Sequence, residues 1–256
     1  MIDDIDESKA PLLDHLIELR RRLLWCIAAL AVGFGVCFYF ARDIFGFIVQ
    51  PLIAAGQGKV IYTQVFQAFF VEIRIAFFSA FMVAFPVIAT QLWRFVAPGL
   101  YRREKAALLP FLLATPVLFT LGAALAYYVA IPTALKFLLS YQGNLAGIQQ
   151  EALPDIGYYL DFIMTFLFAF GFSFLLPVLL MLLERAGILT RAQLVAGRRY
   201  AIVAAFVIAA VLTPPDVISQ LMLAIPLVLL YEISIIGIRL TERSRSKALV
   251  VPEQAE

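Results

Sequence analysis

Histidine occurs once in this sequence and cysteine twice, and charged side chains of both signs make up only 15% of 256 residues. Each scarcity excludes something. The one histidine, His15, precedes the first apolar run, so the serine of GFSF at 171 to 174 has no base beside it to make it a nucleophile. HExxH, paired aspartates in protease-like apolar motifs and a phosphate-cradling glycine loop are all missing. The sequence does not read as an enzyme, and no cofactor, metal or nucleic acid is expected. Cys26 and Cys37 lie in one apolar run, about 16 Å apart on a helix rising ~1.5 Å per residue, too far to pair.

What fills the space is apolar. Hydrophobic residues make up 63% of the chain and mean hydropathy is +0.92, the composition of a multipass membrane protein. At ~20 residues per bilayer crossing, six spans are expected: 23–40, 66–93, 108–130, 157–183, 200–212 and 217–238. The first run is too long for a signal h-region and lacks a small-residue exit, so it should be retained. The whole chain, 1–256, reads as one membrane domain, with 1–22 an amphipathic cytoplasmic N-terminus and 239–256 a cytoplasmic tail. Sixteen of the twenty lysines and arginines lie before span one, in the second and fourth loops, or after span six. Only Arg42, Lys59 and Lys136 fall in the opposite loops, with Arg74 inside span two. That bias places both termini in the cytoplasm.

Between Arg199 and Asp216 the chain could cover about 24 Å as helix, short of a ~30 Å hydrocarbon core. Spans five and six are therefore expected to form a short hairpin. One reading of the spans is a small-solute carrier coupled to protons or ions, because Glu232 lies inside span six and Pro86, Pro116, Pro177 and Pro226 interrupt four spans. Against it, the two halves show no repeat, and prolines are common in membrane bundles.

Polar residues concentrate at the cytoplasmic rim. Asp14, Glu18 and Arg22 share a helix face at i, i+4 spacing, which also allows an ordinary Glu18 to Arg22 pair. In WRFVAPGLYRREK, Glu104 is the only acid among Arg94, Arg102, Arg103 and Lys105. Two rim carboxylates could accept guanidinium groups from the cytoplasm.

HLIELRRRL at 15–23, QPL at 50–52, QLWRFVAPGLYRRE at 91–104 and LTPPDVISQLMLAIPL at 212–227 occur in this order. Together they resemble the TatC family of the twin-arginine protein translocase, over residues 13 to about 238. The resemblance implies a bacterial inner-membrane receptor for signal peptides bearing paired arginines. With TatA-type and TatB-type subunits, and with copies of itself, it would export folded proteins using the proton-motive force. It assigns Glu18 and Glu104 as acidic contacts for the signal arginines, leaving Glu18 free to receive them. Arg20 and Phe95 would assist in recognition. Pro51, Asp216, Gln220 and Glu232 match structural or partner-contact positions. One departure stands out: where the family commonly has a glutamate in span four, this chain has Leu175, with Thr165 and Ser173 as weak polar substitutes.

Overall fold

A computed structural model describes residues 3–100, 109–145, 148–214 and 216–250. The chain forms two compact units, Met1–Val49 with Tyr62–Pro116, and Gln50–Ile61 with Val117–Glu256. Each is taken by itself below.

In the first unit, α1 (Asp3–Tyr39) is a single helix of 37 residues, so the amphipathic N-terminal piece and the first span are continuous. It packs along α3 (Gln67–Leu100) through small side chains. A Cβ on Gly33 would lie 3.3 Å from the Ala80 carbonyl oxygen, a tight contact that glycine avoids where the two backbones come close. Cys37, Ala76 and Ala80 form the buried seam, flanked by Leu30 and Phe34. Helix α2 (Ala41–Ala54) begins in this unit, where its Arg42 pairs with Glu72 of α3 at 3.2 Å. Sequence reasoning treated α2 as loop. Its apolar run is too short to cross a membrane, and hydropathy alone does not distinguish such a helix from a connecting segment.

The second unit takes up the end of α2, which carries Pro51 and closes at Gly56 in the left-handed region (φ 92). The following segment is stitched to the start of α6 (Ile156–Ser173): Ile61 N–H donates to the Pro154 carbonyl and Ile156 N–H to the Ile61 carbonyl, both at 3.1 Å. Asp155 caps α6, its Oδ1 accepting from Gly157 N–H at 2.8 Å.

Helix α4 (Leu109–Leu125) runs through a π-helical turn at Ala126–Ala130 into α5 (Ile131–Leu139), giving an apolar rod over Phe111–Leu139. The third span was expected to stop at Ala130. It continues through Pro132, which directly follows the π-helical turn and is absorbed in the rod. A two-stranded antiparallel hairpin, β1 (Gly143–Leu145) with β2 (Ile148–Gln150), follows. Gly122 and Gly171 seat α4 against α6. A Cβ on Gly122 would meet the Phe170 carbonyl at 2.5 Å, and one on Gly171 the Phe119 ring at 2.6 Å.

The fourth span breaks at residues 174–175 into α6 and α7 (Leu176–Arg185), with Pro177 opening α7. Helix α8 (Arg191–Ala196) starts with a Thr190–Gln193 capping box and leads to α9 (Arg198–Leu212) and α10 (Val217–Val250).

Among the described residues, five helical segments are long and apolar enough to cross a membrane: Leu16–Tyr39, Gln67–Phe95, Phe111–Leu139, Ile156–Arg185 and Val217–Glu242. Helix α9, of 15 residues, is shorter than these, in line with its expected shortness. Helix α10 corrects the other half of that expectation, since it runs unbroken for 34 residues. The polar stretch after Ile238 contains no glycine or proline to stop it, and Pro226 is absorbed within the helix.

Candidate functional site

The rim end of α1 presents Glu18, Arg21, Arg22 and Trp25, at i, i+3, i+4 and i+7, as one stripe. Gln91 and Arg94, one turn apart on α3, face it across a cleft of about 500 Å³. Among the described residues, three guanidinium groups and one carboxylate therefore share a small volume at a helix mouth. Glu18 is not open on both sides. Its Oε1 accepts from Arg22 Nε at 3.0 Å and also from Arg22 Nη2, while its Oε2 takes no bond among the described residues. The pair is half-sheltered, with 36% of the Glu18 side chain and 19% of Arg22 exposed. The expectation that the arginine run leaves Glu18 unengaged is thus corrected: the i, i+4 pair forms, as helix geometry favours.

The other expected site residues are distributed as follows. Arg20 is exposed on α1 and does not line the cleft; Phe95 is half-buried on α3. Glu104 lies outside the described residues. Trp25 and Gln91 were not singled out from sequence, although the stripe spacing from Glu18 to Trp25 was there to be read. Behind the cleft face, Trp93 Nε1 donates to Thr115 Oγ1 at 2.7 Å, and the Thr115 hydroxyl donates to the Phe111 carbonyl at 2.7 Å. This chain ties the end of α3 to the beginning of α4 and was likewise missed, because nothing local in sequence links positions 93 and 115.

Pro51, Leu175, Asp216, Gln220 and Glu232 belong to the second unit. Pro51 is buried within α2. Asp216 caps α10, its Oδ1 accepting from Ser219 N–H at 2.7 Å, and Gln220 Nε2 reaches the Phe206 carbonyl of α9 at 3.2 Å. Leu175 lines an apolar groove of about 460 Å³ together with Phe168, Phe172, Ile208, Leu212 and Leu227. Thr165 and Ser173 border the same groove, but the Ser173 hydroxyl is spent on the Ala169 carbonyl of its own helix. Glu232 is no bare intramembrane carboxylate. Counting along the α9–α10 hairpin it comes level with Arg198, the first residue of α9, and its Oε2 accepts from Arg198 Nη2 at 2.8 Å. Beside it the Tyr231 hydroxyl donates to the Leu194 carbonyl at 2.7 Å, and farther along Arg191 pairs with Glu242 at 3.3 Å.

Long apolar helices with a guanidinium-rich cleft at one mouth, and an intramembrane Glu232 that is paired with Arg198, define a multi-pass membrane protein with a concentration of charge at its rim. The family model of the Sec-independent protein translocase protein TatC matches residues 14–226. Over 243 residues the chain is 49% identical to the TatC of Magnetococcus marinus, covering 94% of this chain and 88% of that one. It is 43% identical over 231 residues to the TatC of Escherichia coli K12, covering 90% and 88%. A crystal structure of the twin-arginine translocase receptor TatC in DDM superposes with a TM-score of 0.75 at 40% identity, covering 87% of this chain and 98% of that one. The chain belongs to the TatC family. It is accordingly a multi-pass protein of the bacterial inner membrane and a protein-transport subunit of the Tat translocase, and the small-solute carrier reading is set aside.

Proposed function

We propose that this protein receives twin-arginine signal peptides at its cytoplasmic rim, with Glu18 and Glu104 accepting the signal arginines and Arg20 and Phe95 assisting. In this reading it is one six-span membrane domain with both termini in the cytoplasm. It works in a complex with TatA-type and TatB-type subunits and further copies of itself, and the assembly moves folded proteins at the expense of the proton-motive force. The observation that carries the reading is the rim cleft, in which Glu18 is the one carboxylate among the described residues, with Oε2 untaken, on a face shared with Trp25 and across from Gln91. A carboxylate at the membrane surface beside an aromatic side chain suits a guanidinium followed by an apolar segment. Three cationic neighbours make the cleft inhospitable to an unspecific cation, so an arginine pair calls for a second acid, the role this reading gives to Glu104.

The test is photo-crosslinking of a twin-arginine signal peptide to Glu18→Ala, Glu104→Ala and the double variant in membranes. Each single substitution should reduce crosslinking about tenfold or more (~1.4 kcal/mol) with protein abundance unchanged; the half-exposed pair of Glu18 with Arg22 contributes little to stability. Normal crosslinking by the double variant would remove the assignment.

A further inference from the structure

Resting on that reading, we infer that Arg22 is an internal competitor for the Glu18 carboxylate, and that displacing it is what discriminates arginine from lysine in an incoming peptide. The geometry is specific. Arg22 presents two donors, Nε and Nη2, and both converge on Oε1 of Glu18. A guanidinium from another chain makes its strongest contact with a carboxylate as a fork, one N–H to each oxygen. While Arg22 holds Oε1, a newcomer is limited to a single bond at Oε2.

Lysine and arginine respond differently to that constraint. An ammonium group engages a carboxylate as a point charge and gains little from a second oxygen. Replacing Arg22 with lysine's Nζ exchanges a two-donor contact for a weaker one, so the internal pair persists. An arginine that expels Arg22 gains both oxygens, and the exchange is close to neutral for Glu18 while the rest of the peptide binds. Among the described residues, the other charges facing Glu18 in the cleft are Arg21 and Arg94, which repel either peptide alike. Coulomb forces in the cleft therefore do not distinguish the two residues, and the fork does.

The experiment measures binding of a labelled signal peptide carrying an arginine pair, and of its lysine-pair counterpart, to the purified full-length protein in nanodiscs. Arg22→Gln should tighten both peptides, the lysine form by about two- to five-fold more than the arginine form, the range that a partly exposed ion pair supports. Arg21→Gln removes the same charge from the cleft without touching Glu18 and should leave the ratio of the two affinities unchanged. Arg22→Lys, which keeps the charge at the helix mouth but replaces the two-donor contact by a point charge, should narrow the ratio in the same direction as Arg22→Gln. If Arg22→Gln narrows the ratio no more than Arg21→Gln, or weakens arginine-peptide binding, the competitor role is overturned. Glu18→Gln separates the two levels. Loss of binding there with no effect of Arg22→Gln on the ratio overturns the competitor alone, whereas undiminished binding overturns the receptor assignment of Glu18 and the competitor with it.

Discussion

Leu175 occupies the break between α6 and α7, where the backbone leaves one helix and Pro177 starts the next. Its side chain lies with Phe168 and Phe172 on the wall of an apolar groove, the three residues falling at i, i+4 and i+7. A carboxylate on a lipid-facing surface at mid-membrane costs roughly 2.5 to 3.5 kcal/mol on insertion scales. A groove that receives a polar group from a partner would remove most of that cost. Leu175→Glu is therefore expected to retain its membrane level and to export a twin-arginine reporter at least as well as Leu175→Ala. A collapse of Leu175→Glu beside a healthy Leu175→Ala would mean that the position faces lipid. At this same scale, Glu18 shows how far a sequence can be read: its partner was one of two options that i, i+4 spacing left open, and only side-chain positions decide between them.

At the scale of helices, the tie from Trp93 to Thr115 to the Phe111 carbonyl supports both ends of the segment that holds Glu104. Thr115→Val keeps the shape of the side chain but leaves the Trp93 N–H without its acceptor, a loss of about 1 to 2 kcal/mol for a sheltered donor. The purified variant should melt about 2 to 8 °C lower in detergent, while Thr115→Ser should stay close to the parent. An unchanged melting temperature for Thr115→Val would show that the tie contributes nothing to holding α3 and α4 together.

Hydropathy made the long helices legible because each needs about 20 apolar residues, and it marked α9 as short for the same reason. It missed the run from Ala130 to Leu139, where Pro132 looks like a stop but occupies a first turn. It also missed the polar extension of α10, which hydropathy reads as tail although nothing in it breaks a helix. The site was legible in part. Glu18 and its arginines stand out as charges, whereas Gln91 and Trp25 become neighbours only once α1 lies along α3.

For the molecule as a whole, sixteen of twenty basic residues fall in segments assigned to one side of the membrane, and that bias is the strongest statement about orientation that the chain makes. Single cysteines introduced at Asn144 and at Thr190, both exposed, in a background lacking Cys26 and Cys37, should react with an impermeant thiol reagent from opposite faces. Asn144 should label in intact cells and Thr190 only after the membrane is opened. Labelling of Thr190 from outside would reverse the topology.

The hydrogen bonds that join Ile61 to Pro154 and Ile156 connect parts of the chain made at different times. About 95 residues separate Ile61 from Ile156, and at ~5–20 residues per second a ribosome needs roughly 5 to 20 s to deliver the second after the first. During that interval Ile61 has emerged with its backbone partners still unsynthesised, and the Gln57 side chain still lacks the Ala152 carbonyl that accepts from it. The end of α2 therefore cannot complete its packing in the order in which it is made, and the second unit closes only when α6 arrives.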